Sequence, residues 1–243
     1  MRTDYDITIK PISFSYVVVW KKPLTNIPPL AADFCKNLFG APNETEYGFN
    51  QEGLAITIKG QNQNIPNQNP ANTISIAIAI PKADVRLGYQ RFSIFHGDQN
   101  IFLDAYTKLI GELKARHSAF YSNLTSRQIG VNIEYEVIFK SKADFDKWVA
   151  EKYFTEKLKH SFTGLNFQQL TFQLNEEARG KFVLVNLSPR IGNVDTLHCL
   201  INDHFSISPT EMIFEPNQLK KAIDDTLHKG QIKIIPELIS NYA

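Results

Sequence analysis

From residue 73 to 80 the chain alternates strictly, with Ile74, Ile76, Ile78 and Ile80 on one side and Ser75, Ala77 and Ala79 on the other. A side-chain period of two is that of a half-buried β-strand. The pattern returns over 129–140, where Val131, Ile133, Tyr135, Val137 and Phe139 oppose Asn132, Glu134 and Glu136. It returns again where Leu170, Phe172 and Leu174 alternate with Gln169, Thr171 and Gln173. Strands of this kind require a sheet with one packed face and one wet face, which is the antiparallel arrangement.

Further strands are expected over 6–10, 13–20, 46–50, 54–59, 85–95, 181–187, 194–205 and 232–235. Helical periodicity appears between these groups. Leu30, Phe34 and Leu38 form a stripe over 29–39 that Gly40 closes, and Asp98 caps a helix over 98–117 carrying Phe102, Tyr106, Leu109, Ile110 and Leu113. Ser141 and Asp144 start a third helix with Phe145, Trp148, Val149 and Tyr153. Pro216 opens a fourth, with Leu219, Ala222, Ile223 and Leu227 on one side and Gly230 placed to stop it.

Neighbouring strands with helices laid between groups predict an α+β fold, mainly antiparallel sheets with amphipathic helices packed on one face. The two halves share a plan of strand pairs followed by a helix. The expected division is an N-terminal α+β subdomain, 1–160, and a C-terminal one, 161–243. Between residues 61 and 72, eight of twelve residues are Asn or Gln and two are Pro, which predicts a flexible loop.

Composition narrows the function classes. At 243 residues, a folded chain hides about three quarters of the surface its unfolded form exposes. The 26 basic and 25 acidic side chains nearly cancel, so net charge does not indicate a nucleic-acid partner. Cys35 and Cys199 stand far apart without a C-x-x-C spacing, which predicts reduced, buried thiols rather than a zinc site or a disulfide framework. Asp4 and Asp6 interrupt any secretory hydrophobic region, and no apolar run reaches the span of a membrane. The expected location is the cytoplasm, and no cofactor is indicated.

Phosphate-cradling loops need closely spaced glycines. Gly48 and Gly53 have the interval of a P-loop but are followed by Leu54 and Ala55, without the lysine and hydroxyl that the chemistry uses. No glycine pair has the spacing of a dinucleotide fingerprint or a serine nucleophile elbow.

Three groups of residues remain as site candidates. Asp195, His198, Cys199, Asn202, Asp203 and His204 crowd one strand. Strand parity puts His198, Asn202 and His204 on one face and Asp195, Cys199 and Asp203 on the other. His198, Asp203 and His204 offer imidazole and carboxylate donors to a divalent metal or a proton relay, whereas a surface strand ending in a polar turn gives the same letters. Glu134 and Glu136 can hold a cation or act as a catalytic acid and base, and a solvated strand face accounts for them equally. Arg86 and Arg91, with Tyr89 and Phe95, mix cations and aromatics as a single-strand nucleic-acid surface does, and as sheet edges do. Cys199 as a nucleophile requires an exposed, electropositive setting.

A strand leading into Arg91-Phe92-Ser93-Ile94, a helix containing Tyr106, and Arg127 followed by Gly130-Val131-Asn132-Ile133-Glu134-Tyr135 resemble a group of sporadically distributed prokaryotic proteins of about this size with no established activity. That group places an arginine shortly before a strand with a Tyr-Ile-Asn-like core, approximated here by Asn132, Ile133 and Tyr135. The resemblance covers residues 73–140 and implies no catalytic residue. The expected function is a non-enzymatic binding protein, with a protein partner or self-association, in a prokaryotic multi-protein assembly. The alternatives are a metal-dependent hydrolase or nuclease, and a nucleic-acid-binding protein.

Overall fold

The computed structural model describes residues 5–22, 44–50, 53–59, 75–80, 83–88, 91–153, 168–176, 181–206 and 213–240. Its strands are β1 (Ile7–Trp20), β2 (Glu44–Asn50), β3 (Gly53–Lys59), β4 (Ser75–Ile80), β5 (Ala83–Gly88), β6 (Arg91–His96), β7 (Ser126–Phe139), β8 (Leu170–Glu176), β9 (Lys181–Pro189) and β10 (Thr196–Ser206). All ten lie in one sheet, in the order β2-β3-β4-β5-β6-β1-β7-β10-β9-β8. Every neighbouring pair is antiparallel except β3 and β4, which run parallel. The class is α+β with a mainly antiparallel sheet. Strands from before and after residue 160 share it, with β7 pairing to β1 on one side and β10 on the other. The helix expected over 29–39, with Cys35 and Gly40, and the loop over 61–72 lie outside the described residues.

β1 joins the two segments expected at 6–10 and 13–20. Pro11 pairs with Tyr135 and Ser13 with Glu134, so Ile12 is the extra residue of a β-bulge. Proline has no N–H to give a ladder, and a bulge is where a strand interior tolerates it. The bulge also resets parity. Ile7 and Ile9 pack on the core before it, and Phe14, Tyr16, Val18 and Trp20 after it. The stretch expected over 85–95 is instead two strands, β5 and β6, paired antiparallel.

The helices are α1 (Gln99–Arg116), α2 (Ser118–Tyr121), α3 (Lys142–Tyr153), α4 (Pro216–His228) and α5 (Ile235–Ile239). Asp98 caps α1, its carboxylate accepting from the Asn100 and Ile101 amides at 2.8 and 3.0 Å. Ser141 caps α3, accepting from the Asp144 amide at 3.2 Å. Apolar stripes hold both to one sheet face. Tyr106 of α1 meets Tyr16 edge to face, and Phe145 and Trp148 of α3 pack on Phe139. Two buried tyrosines anchor the segment before α4: the Phe214 amide donates to Tyr16 Oη at 2.9 Å, and Tyr106 Oη donates to the Phe214 carbonyl.

Gly230 does not stop the last helix, and residues 232–235 are not a strand. The chain passes from α4 through a π-helical turn, Lys229–Ile234, directly into α5. A Cβ at Gly230 would collide with Tyr135 Oη and stand 2.8 Å from Tyr135 Cζ and 2.9 Å from Ile201 Cδ1. The glycine is there for close approach of helix to sheet rather than for termination. No helix among the described residues is long and apolar enough to cross a membrane.

Candidate functional site

Parity decides what the central strands offer to each side. On β7 the odd-numbered residues from Ile129 to Phe139 are buried against the helices, so Gln128, Asn132, Glu134 and Glu136 point the other way. Register brings Ser13 and Ser15 of β1, and His198, Leu200, Asn202 and His204 of β10, to that same side. Phe95 of β6 joins them opposite Ser15 and is 42% exposed. Among the described residues no helix packs on this face. Its central polar side chains, from Asn132 and Glu134 to His198 and Asn202, are nonetheless half-buried, because neighbours on adjacent strands cover one another.

The polar groups answer each other across strands. His198 Nε2 lies 3.1 Å from Glu134 Oε2, and Arg190 Nε donates to Glu136 Oε1 at 3.0 Å. The hydrogen bond from His198 holds the Glu134 carboxyl below its ordinary range, helped by Ser13 and the charge of Arg190 against the opposing effect of burial. Glu134 is therefore an ionised acceptor. Gln128 Nε2 reaches His204 Nδ1 at 2.9 Å, a bond that leaves the ring proton on Nε2 when the amide nitrogen donates. The His204 ring stacks on Phe182 with centroids 4.5 Å apart. Burial pushes the His204 pKa down, and the charge of Asp203 offsets part of that shift.

Asn132 and Asn202 face each other across β7 and β10 at the centre of this surface. Asn132 Nδ2 donates to Ser15 Oγ at 2.9 Å. Asn132 Oδ1 and Asn202 Oδ1 are both enclosed and have no hydrogen-bond partner. An enclosed acceptor left unpaired costs about 1–3 kcal/mol, so two side by side are an unusual expense for one strand pair. Asn202 Oδ1 sits over Gly130, where a Cβ would come within 3.1 Å of it.

The remaining candidates do not converge with these. Asp203 is on the helix side, buried, and accepts from Thr226 Oγ1 of α4 at 3.1 Å, whereas His198 and His204 lie on the opposite face. The three cannot ligate one metal, because strand parity separates them by the thickness of the sheet. Among the described residues no group of three or more His, Cys, Asp or Glu could hold a metal ion. Glu134 and Glu136 do share a face, but each meets a different partner, His198 and Arg190, rather than sharing a proton. Cys199 is a free, buried thiol opposite Tyr135, and burial pushes its pKa up to about 12, the reverse of nucleophile activation. Asp195 precedes β10 and accepts from Thr196 Oγ1 at 3.1 Å. Arg86 takes a register position opposite Ser93, and Arg91 one opposite Val19. Tyr89 lies outside the described residues.

Ser13, Gln128, Phe182 and Arg190 complete the face and were not singled out by motif. Their only signal is a place in the strand register, which spacing along the chain does not carry. Neither a family model nor a curated protein sequence matches this chain.

Proposed function

We propose that this is a non-enzymatic binding protein, a cytoplasmic subunit of a larger assembly, which takes a protein partner on the face of β6-β1-β7-β10-β9 that no described helix covers. The supporting observation is the balance of polar groups there. Arg190 and His198 are engaged with Glu136 and Glu134, and the two enclosed atoms without partners are both acceptors. Arg190 is paired with Glu136 and the basic and acidic side chains of the chain nearly cancel, which favours a protein partner over a phosphate backbone. Exposed Phe95 adds an aromatic contact of the kind that anchors protein interfaces.

The test is affinity capture from the native extract with quantitative mass measurement, comparing the wild type with a Phe95→Glu, Leu200→Glu variant that keeps its melting temperature. Stoichiometric capture by the wild type, lost in the variant, supports the reading. A homodimer dissociated by the same substitutions would make the partner a second copy. A strictly monomeric protein that captures nothing, or capture unaffected by the substitutions, overturns it.

A further inference from the structure

The strand order leaves β8 at one end of the sheet, paired with β9 on one side and, among the described residues, with no strand on the other. An open edge offers a row of N–H and C=O groups to any extended chain, and monomeric proteins blunt it with charge, proline, a bulge or a cover. From residue 168 to 175 there is no charged residue, no proline and no glycine. The register with β9 runs from Leu170 opposite Leu187 to Glu176 opposite Lys181 without a shift, so there is no bulge. Leu174 is 40% exposed, which marks the edge as open. At the opposite end of the sheet β2 is blunted, with Glu44 and Glu46 as charges and Gly48 as a gap in its side-chain row. The core also runs off the β8 edge. Phe14, Ile133, Ile201 and Val185 form one buried row across β1, β7, β10 and β9, and the next position in that row is half-buried Phe172.

The sequence of β8 specifies what can continue the row. Laid antiparallel against its own copy about a two-fold axis at Phe172, the strand sets Phe172 against Phe172, Leu170 against Leu174 of the second copy and Thr171 against Gln173. Apolar then meets apolar on the helix side, polar meets polar on the other, and no like charges face each other. An axis one residue to either side instead sets Leu170 against Glu176 or Leu174 against Gln168. We propose that β8 is a homodimerisation edge, through which two copies of the chain pair antiparallel over residues 170–174 and extend the sheet from one copy into the next. This edge lies outside the face that takes the protein partner, so different substitutions abolish the two contacts.

Sedimentation equilibrium of the full chain over a range of concentrations measures the assembly. A monomer–dimer equilibrium is expected. Leu174→Lys removes two leucine contacts per dimer and should weaken it at least about tenfold, with an unchanged melting temperature because Leu174 is already exposed in the single chain. The Phe95→Glu, Leu200→Glu variant should dimerise as the wild type does. Oxidation of cysteine variants in a Cys35→Ser background reads the register, Cys199 being buried. Phe172→Cys faces its own copy at a Cα separation of about 4.5–5.5 Å, within disulfide reach, and should cross-link. Leu174→Cys stands about 13 Å along the strand from its own copy and should not. An equal mixture of Thr171→Cys and Gln173→Cys, both at exposed positions, should cross-link faster than either alone. A monomer at every concentration, a dimer indifferent to Leu174→Lys, or equal cross-linking at 172 and 174 would overturn the proposal. Growth beyond a dimer, as head-to-tail pairing of β2 with β8 would give, or dissociation by Phe95→Glu, Leu200→Glu would overturn it as well.

Discussion

Gly230→Ala is the substitution whose effect the packing specifies most tightly. Away from the sheet, alanine in place of glycine would favour the helical conformation by about 1 kcal/mol. Here the added methyl would overlap Tyr135 Oη and press to 2.8 Å on Tyr135 Cζ and 2.9 Å on Ile201 Cδ1. Tyr135 is fully buried on the central strand β7, and Ile201 is fully buried on β10, so neither can swing away as a surface side chain would. The π-helical turn must lift instead, which opens space around α5 and loosens Ile234 and Ile235. With both neighbours fully buried, the upper part of the overpacking range applies, about 2–3 kcal/mol, so after the propensity gain of about 1 kcal/mol the net loss is about 1–2 kcal/mol. For a chain of this size that lowers the melting temperature by about 2–8 °C. Tyr135→Phe is the informative partner, because Tyr135 Oη is enclosed and has no hydrogen-bond partner. Alone it should be neutral or stabilising, and in its background Gly230→Ala should cost less, since the worst overlap is gone while Cζ stays. Urea unfolding followed by tryptophan fluorescence measures all four corners of the cycle. A Gly230→Ala protein as stable as the wild type, or a cycle with no coupling, would refute the close-approach argument.

Other expectations follow from the same geometry. In a Cys35→Ser background, Cys199 should resist a thiol reagent at about pH 8 in the folded protein and react at once in denaturant, since its pKa is raised to about 12 by burial; rapid native labelling would contradict its placement. Stability should decline on acidification in two stages. His204, depressed from 6.5 in the folded state, contributes fully above its unfolded value and loses that contribution as pH falls through its lower folded value. Glu134, depressed from 4.5, does the same in a more acidic window. Urea midpoints across this range should show the first stage flattened in His204→Gln, and a rise in stability on acidification would be the opposite of the predicted sign. Thr226→Val removes the hydroxyl that donates to buried Asp203 and should cost about 1–3 kcal/mol, measured in the same way; an unchanged midpoint would show that the bond contributes nothing.

Much of the fold is written in short-range patterns. Alternation located β7, β8 and β4 within a few residues, and the Asp98 and Ser141 caps located the starts of α1 and α3, because parity and capping depend only on near neighbours. Errors arose where a residue answers to something distant. Pro11 reads as a break between strands, and only the register against Tyr135 and Glu134 reveals a bulge inside one strand. Gly230 reads as a helix stop, yet its place is set by the Tyr135 ring. The run Ile232 to Ile235 is too short for its period to discriminate strand from helix, and in the structure Ile234, Ile235 and Ile239 are buried along a helical path while Ile232 is exposed. The site divides in the same way. Parity alone separates His198 and His204 from Asp203. That His198 meets Glu134, Arg190 meets Glu136 and Asn132 faces Asn202 depends on pairing between strands more than 50 residues apart.

The uncovered face itself is the claim on which the functional reading rests. Carboxyl labelling with a carbodiimide and an amine, combined with hydroxyl-radical footprinting, reports solvent access at Glu134, Glu136, Phe95, Phe182 and Leu200 in the isolated protein, with Phe102, Tyr135 and Phe139 as buried references. The five side chains of the uncovered face should be modified well above the references and become protected when the captured partner is bound. Protection in the isolated protein equal to that of Tyr135 would mean the face is already covered, and would contradict the account.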